Sequence, residues 1–402
     1  MPILLTIGTI LVVIIFILFA AILDVVIAFK KGIGKTQAPS PSARWSNVAM
    51  FNDGHRFMDA LKRDMEGAQH HIHLAFFIFR YDQIGKEMIE ALIKHANRGV
   101  EVRLLLDAIG SKGFPKKARK KLEAAQIQFA YTAKLYFPFT IYALNRRNHH
   151  KTVVIDGKTG YFGGFNIGDE YLGKKTDMGD WRDYHLKIEG GGVKDLQDQF
   201  LSHWNKANKT QITGDVYYPK LERGHYEMKI IPTAGVGLES LFIDHLSRAQ
   251  KHVFIGTAYY IPTKGLQKAL LELLKRNVDV TILLPLRKDH PFVRPVSYHY
   301  LGPLLKHGAK VYHFYQGFYH AKVFIVDDVS CYMGTANFDQ RSFLWNDEMS
   351  GFIYDKKLIS EIEKMTKEDI RRSMTFTYDD LKKRPLIEKV KTQLSLPLAP
   401  LL

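Results

Sequence analysis

Two histidine–lysine pairs stand out in this chain: His149 and Lys151 in "NHHKTVVID", and His320 and Lys322 in "YHAKVFIVD". In each, an aspartate (Asp156, Asp327) closes the apolar run seven residues after the histidine. Side chains at i and i+2 of a strand share a face. Each imidazole therefore points with its ammonium, while His150 and Ala321 point the other way. The runs "TVVI" and "VFIV" read as central strands covered on both faces. Seven is an odd offset, which takes each aspartate off the reactive face and gives it a turn to hold. Two imidazoles and two ammoniums brought together suit a phosphodiester. One imidazole attacks phosphorus and the other protonates the leaving oxygen. The lysines, with the amides of Asn166 and Asn337, hold the non-bridging oxygens and stabilise the developing charge, so this chemistry calls for no metal or other cofactor. The product of such a step is a phosphohistidine, which an alcohol or water resolves. Each imidazole also needs a partner on its second nitrogen. Asp183 in "WRDYH" and Glu348 in "WNDEM" are the candidates, 34 and 28 residues after the histidine of their own half.

The elements that must position these groups occur twice. "AQHHIHLAFFIF", a helical stretch and "RGVEVRLLLD" precede the first pair; "AQKHVFIGTAYYI", a helical stretch and "RNVDVTILLP" precede the second. Met88, Leu92 and Ile93 in one helical stretch, and Leu266, Leu270, Leu273 and Leu274 in the other, recur at helix spacing. After the histidines, Gly163 and Gly334 match at plus 14, and Asn166 and Asn337 at plus 17. Strand–helix–strand repeated in this way predicts an α/β fold with a largely parallel sheet. We read two homologous halves, roughly 46–225 and 226–402, each giving half of one pseudo-twofold site, behind a segment of 1–45 that serves as anchor and linker.

The 402 residues are 46% hydrophobic and 24% charged, a globular balance, but the net charge is +16. Such an excess calls for an anionic partner, either nucleic acid or an acidic lipid surface. The N-terminus separates the two. Ile3–Leu23 carries no charge and as a helix would span roughly 30 Å, the thickness of a bilayer core. No Lys or Arg precedes it, unlike a cleaved signal, whereas Lys30, Lys31, Lys35 and Arg44 follow it. The expectation is a single-pass anchor in the cell membrane with the catalytic halves on the cytoplasmic side, acting on an anionic phospholipid rather than on nucleic acid. "LYFPFTIYALNRRNHH" mixes aromatic and basic residues just before the first pair and reads either as a packed loop or as an interfacial segment. "PFVRPVSYHYLGPLL" poses the same choice. The lone Cys331, between apolar residues, reads as a core position, and His70, His71 and His73 read as strand or surface residues, without the spacing of a zinc site.

The paired motifs resemble the phospholipase D superfamily, whose mark is two HxKxxxxD sequences. "GGFNIGDEY", "WRDYH", "GTANFDQRSF" and the closing "LSLPLAPLL" narrow the resemblance to bacterial cardiolipin synthases. It covers about residues 46–402. The resemblance implies His149 as nucleophile and His320 as acid and base. It also counts Lys151, Lys322, Asp156 and Asp327 with the catalytic set. The implied reaction converts two phosphatidylglycerol molecules to cardiolipin and glycerol; a phospholipase D or a nuclease-type phosphodiesterase is the alternative. Two departures are visible: one clear N-terminal span where many such synthases have two, and His150 where the motif commonly has arginine.

Overall fold

The computed structural model describes residues 2–33 and 42–402. In the first half the strands are β1 (Arg44–Phe51), β2 (His71–Phe76), β3 (Glu101–Asp107), β4 (Gln128–Thr132), β5 (Lys151–Ile155), β6 (Thr159–Gly163), β7 (Asp180–Arg182) and β8 (His185–Gly190). In the second they are β9 (Tyr226–Ala234), β10 (His252–Gly256), β11 (Tyr260–Ile261), β12 (Asp279–Pro285), β13 (Lys310–Phe314), β14 (Gly317–Tyr319), β15 (Val323–Val326), β16 (Ser330–Gly334), β17 (Phe338–Asp339), β18 (Asp347–Ile353) and β19 (Ser373–Phe376).

Among the described residues, fifteen of these strands form one sheet, in the order β19-β13-β12-β10-β15-β16-β18-β9-β1-β8-β6-β5-β2-β3-β4. Read outward from the β9–β1 junction, the two halves have the same order, and β19 is an extra edge strand on the second. The duplication seen in the sequence is thus a duplication of topology, and the halves share one sheet through the antiparallel pairs Arg44–Met228 to Ser46–Tyr226. The expected largely parallel sheet is corrected. Within this sheet, parallel pairing is confined to β2–β3–β4 and β10–β12–β13. The strands β5 and β15 run antiparallel to β2 and β10. A short connection makes the next pair antiparallel as well: residues 156–158 join β5 to β6 as a hairpin, with Asp156 at φ 52° and Gly157 at φ 64°, and a hairpin reverses the chain where a helical crossover would not.

Helices cover both faces, so side chains alternate between two cores. Ile72, Leu74 and Phe76 pack with Phe57, Met88, Leu92 and Leu122 of three helices. Ala75 and Leu105 face Phe200 and Trp204 of the helix Val193–Asn208. The second half repeats this with Leu266, Leu270 and Leu273 on one face and Leu358, Ile359 and Ile362 on the other. That last cluster also contains Phe162, Ile188, Met228 and Ile325, so the core runs unbroken across the junction. His71 and His73 are buried strand residues, and His73 stacks on Phe200 at 4.4 Å. Cys331 is buried in β16, where burial pushes its thiol up.

At the N-terminus a helix runs Pro2–Lys30. Among the described residues no helix is long and apolar enough to cross a membrane, and many side chains of the Ile3–Leu23 run lie outside the described residues. The last turns are docked. Val25, Ala28 and Phe29 pack with Phe139, Tyr142 and Trp345. Asp24, which interrupts the apolar run, accepts from the amides of Ile141 and Tyr142 at 2.7 and 3.0 Å and so caps the short helix Thr140–Asn145. The aromatic segment before the first motif is packed in part and exposed in part: Tyr142 is buried, while Leu135, Tyr136, Leu144 and above all Phe137, 91% exposed, face outward. "PFVRPVSYHYLGPLL" is mostly the packed helix Val293–Lys306, with only Phe292 among its large apolar residues exposed.

Candidate active site

Each reactive histidine sits immediately before its strand pair and is held by the other half. The His149 amide donates to the carbonyl of Asp347 at 2.9 Å, and the His320 amide donates to the carbonyl of Arg182 at 2.7 Å. The small parallel sheet of β7 and β14 and the bridge Asn148–Asp347 are the same contact made twice. Each places a carboxylate beside the opposite imidazole. His149 Nδ1 lies 3.0 and 3.1 Å from the two oxygens of Glu348, and His320 Nδ1 lies 2.5 Å from Asp183 Oδ2. Asp183 and Glu348 are therefore the partners, but the pairing within each half is corrected to a pairing across halves. Sequence offsets within one half carry no signal for a contact made between halves.

The two lysines complete the centre. Lys151 Nζ donates to the His149 carbonyl at 2.8 Å. Lys322 Nζ bonds the His320 carbonyl and sits 2.7 Å from His320 Nδ1 and 3.8 Å from Asp183. Both lysines are buried, whereas each histidine keeps 8% exposure, so what reaches this site reaches the imidazoles first. Burial, aided by the charges of Lys151, Lys322 and His320, holds the His149 imidazole well below its ordinary range. It is neutral, and its bond to Glu348 engages Nδ1 and leaves Nε2 for substrate. Burial also lowers His320, with Lys322 acting in the same direction and Asp183 opposing. Lys151 is lowered to about 7 and Lys322 to about 8 by burial, against the pull of Glu348 and Asp183 respectively. These are ammoniums stripped of water, and a phosphate anion is the ligand that restores their charge.

The two asparagines are held differently. Asn166 Oδ1 accepts from the Ile78 amide at 3.0 Å, which leaves Nδ2 as a donor. Asn337 is nearly buried, and its Oδ1 has no partner among the described residues. Asp156 and Asp327 are at the far end of their strands. Asp156 accepts from the amides of Gln69, His70 and His71 at 2.8 Å; Asp327 accepts from Gln250, Lys251 and His252 at 2.8 to 2.9 Å. They do not touch the reacting groups, and their place in the catalytic set implied by the motif is corrected to a turn-holding one. His150 points away from the reactive face and packs against His203, ring centroids 5.0 Å apart.

Three residues of the site were not singled out in the sequence. Thr335 Oγ1 donates to Glu348 Oε2 at 2.5 Å, and Asn346 Nδ2 donates to Glu348 Oε1 at 3.2 Å. Asp107, at the end of β3, accepts from Arg147 at 3.2 Å and from the Asn148 amide at 2.9 Å, bracing the entry to the first motif. A signal for Thr335 existed: "GTAN" of the second half aligns with "GGFN" of the first, so Thr335 stands where the first half has Gly164. A Cβ at Gly164 would meet Asp183 Oδ1 at 1.8 Å, so the first half has no room for a side chain there.

Fold and site together define a phosphodiester-processing α/β enzyme built from two like halves that share one two-histidine centre. The chain belongs to the family described as cardiolipin synthase, PLD-like domain, whose model matches residues 61–204 and 242–370. It is 38% identical to the minor cardiolipin synthase ClsB of Bacillus subtilis, covering 87% of this chain and 88% of that protein. It is also 38% identical to the major cardiolipin synthase ClsA of the same organism, covering 89% and 76%. Among solved structures it is similar to the phosphatidylserine synthase of Haemophilus influenzae Rd KW20, with a TM-score of 0.71 and 15% identity over 90% of this chain and 97% of that one; this is a likeness of fold.

Proposed function

We propose that the enzyme is a cardiolipin synthase that transfers a phosphatidyl group from one phosphatidylglycerol to another, releasing glycerol. His149 Nε2 attacks phosphorus while His320 gives its proton to the departing glycerol oxygen; the phosphorus–oxygen bond breaks and a phosphohistidine forms. His320 then takes the proton of a hydroxyl on the second phosphatidylglycerol. That oxygen displaces His149 from phosphorus, and both histidines return to their starting state. Lys151, Lys322 and the amides of Asn166 and Asn337 hold the non-bridging oxygens throughout. The observation that carries this reading is the crossed pairing of His149 with Glu348 and His320 with Asp183, which gives two separately oriented imidazoles in one basic centre.

Water is the competitor for the phosphohistidine, so the acceptor must be held close and water kept out. We read the N-terminal helix as a single-pass anchor with the two halves on the cytoplasmic side. Its docking on Phe139, Tyr142 and Trp345 ties the membrane to a segment three residues from Glu348, and the exposed Leu135, Tyr136 and Phe137 suit the interface. Removal of residues 1–40 is expected to leave only salt-sensitive binding to anionic vesicles; tight binding in high salt would contradict the anchor. For the reaction, labelled phosphatidylglycerol in bilayers is expected to yield cardiolipin and glycerol, with phosphatidic acid minor. Dominant phosphatidic acid would make the enzyme a phospholipase. Untouched lipid with cleaved oligonucleotide would make it a nuclease.

A further inference from the structure

On the opposite side of the first motif from the reactive face lies a cavity of about 250 Å³ to which none of the reacting groups contributes. Four cations line it: Lys134, Arg146, Arg147 and Lys206. One carboxylate answers them within the lining, Asp347, which Arg146 engages at 2.6 Å. Arg147 is held from behind by Asp107, yet its Nε is buried without a partner, in a residue only 1% exposed. Lys134 and Lys206 have no ionic partner among the described residues and stand exposed at the opening. The cavity is therefore built with more positive charge than the protein itself satisfies, and a buried donor is left over. Its rim is of a different character. Tyr136 is part of the lining, and Leu135, Tyr136, Phe137 and Leu144 expose apolar surface beside it.

A cationic floor with an exposed apolar lip is what an amphiphilic anion requires. We propose that this cavity is a second phospholipid site, which takes the phosphodiester headgroup of an anionic bilayer lipid while its chains stay in the membrane. The volume fits that division, since it lies below the roughly 300–1,000 Å³ of pockets that enclose a whole drug-sized ligand. Free phosphate shares the headgroup chemistry but makes no use of the lip. The assignment rests on the reading that the enzyme works at an anionic bilayer. It adds a place where such a lipid is held apart from the reacting histidines: the imidazole that lines it, His203, has both nitrogens taken, by Asn148 and Gln199 at 2.8 Å each.

The test uses full-length His149→Ala enzyme in vesicles containing phosphatidylglycerol that carries a photoreactive group near its headgroup, so that the probe is bound but not turned over. Two labelled regions are expected, one in the cleft between the halves and one within 131–147 or 203–207. Lys134→Gln with Lys206→Gln is expected to raise the probe concentration for half-labelling of the second region by about 30-fold and to leave the cleft label in place. Both lysines are exposed, so the variant retains its packing. A cleft label alone, or a second label indifferent to the two substitutions, would overturn the proposal. Displacement of the second label by millimolar inorganic phosphate as completely as by unlabelled lipid would assign the cavity to free phosphate and overturn the lipid assignment. Turnover of the same vesicles by the wild-type chain is measured in parallel. Cardiolipin formation without a second label fails this inference alone, whereas absent turnover fails the reading on which it rests.

Discussion

The two half-sites are built on one backbone plan and differ in their carboxylates. Both histidine amides bond the residue that precedes the partner carboxylate, and both aspartates gather three backbone amides at the far end. Around His149, however, Glu348 is surrounded by neutral donors, Thr335 and Asn346, and burial raises it to about 7 despite Lys151. Around His320, burial pushes Asp183 up, but Lys322 and His320 outweigh it and hold the carboxyl below its ordinary range. An always-charged Asp183 favours an imidazolium, which suits His320 to carry a proton between steps. Glu348, close to neutrality, orients His149 while stabilising its positive charge less, which suits a nucleophile that must begin unprotonated. The difference traces to the nearer cation at Asp183, Lys322 at 3.8 Å; the Thr335 hydroxyl, standing where the first half has Gly164, acts the other way and partly offsets the rise at Glu348. Duplication thus made the frame, and divergence at a few side chains separated the roles.

The largest expected effect comes from the carboxylates. Glu348→Gln and Asp183→Asn should each lower cardiolipin formation by about 10³- to 10⁴-fold, the scale on which a mis-set histidine tautomer acts. A phosphatidyl ester of p-nitrophenol, whose leaving group needs no proton, should separate them. Asp183→Asn keeps a stoichiometric burst of nitrophenol, and Glu348→Gln loses it. Equal loss of the burst in both would erase the distinction between the half-sites.

A smaller effect is expected at Thr335. Thr335→Ala removes a donor to an ionised carboxylate, costing about 10- to 100-fold in kcat. It should also move the pH profile. Glu348 must be ionised to accept from His149 Nδ1, so kcat/KM falls as pH drops through about 7. Without the Thr335 donor Glu348 rises further, and the acid limb moves to higher pH. On the alkaline side, kcat/KM falls as Lys151 and Lys322 lose their protons near 7 and 8. The corresponding limb of kcat lies at higher pH, because a bound phosphate raises both lysines. These limbs belong to the coupled set rather than to single residues. An acid limb unmoved by Thr335→Ala would detach Glu348 from the profile.

The smallest effect on rate is expected at the far ends of the strands. Asp156→Ala and Asp327→Ala each orphan three amides and should destabilise the fold by about 1–3 kcal/mol, measured by denaturant titration, with little change in kcat for the folded enzyme. A large kcat loss at unchanged stability would return these aspartates to the chemistry.

Much of this is legible in the sequence, because local pattern carries it. Spacing put His149 with Lys151 and His320 with Lys322, and the equal offsets of Gly163 and Gly334, and of Asn166 and Asn337, announced the repeat. The odd offset of Asp156 and Asp327 pointed to their turns. What was not legible depends on contacts between distant segments. The crossing of Glu348 and Asp183 follows from how β7 and β14 join the halves. The antiparallel β5–β6 pair follows from the tight turn at Asp156–Gly157, which a strand–helix–strand reading overlooks. Asp24 looked like a flaw in an apolar run and is instead the cap of a helix 117 residues away.

The central claim is that His149 and His320 have different, fixed roles in one shared centre, and covalent trapping tests it most directly. His320→Ala enzyme is mixed with the p-nitrophenyl ester bearing ³²P, quenched in alkali and digested. The account predicts one equivalent of nitrophenol and a stable phosphatidyl label on His149, since the first step needs no acid with this leaving group and the second lacks its base. His149→Ala should give neither. Label on His320 in the wild-type enzyme, or on any residue of His149→Ala, would contradict it.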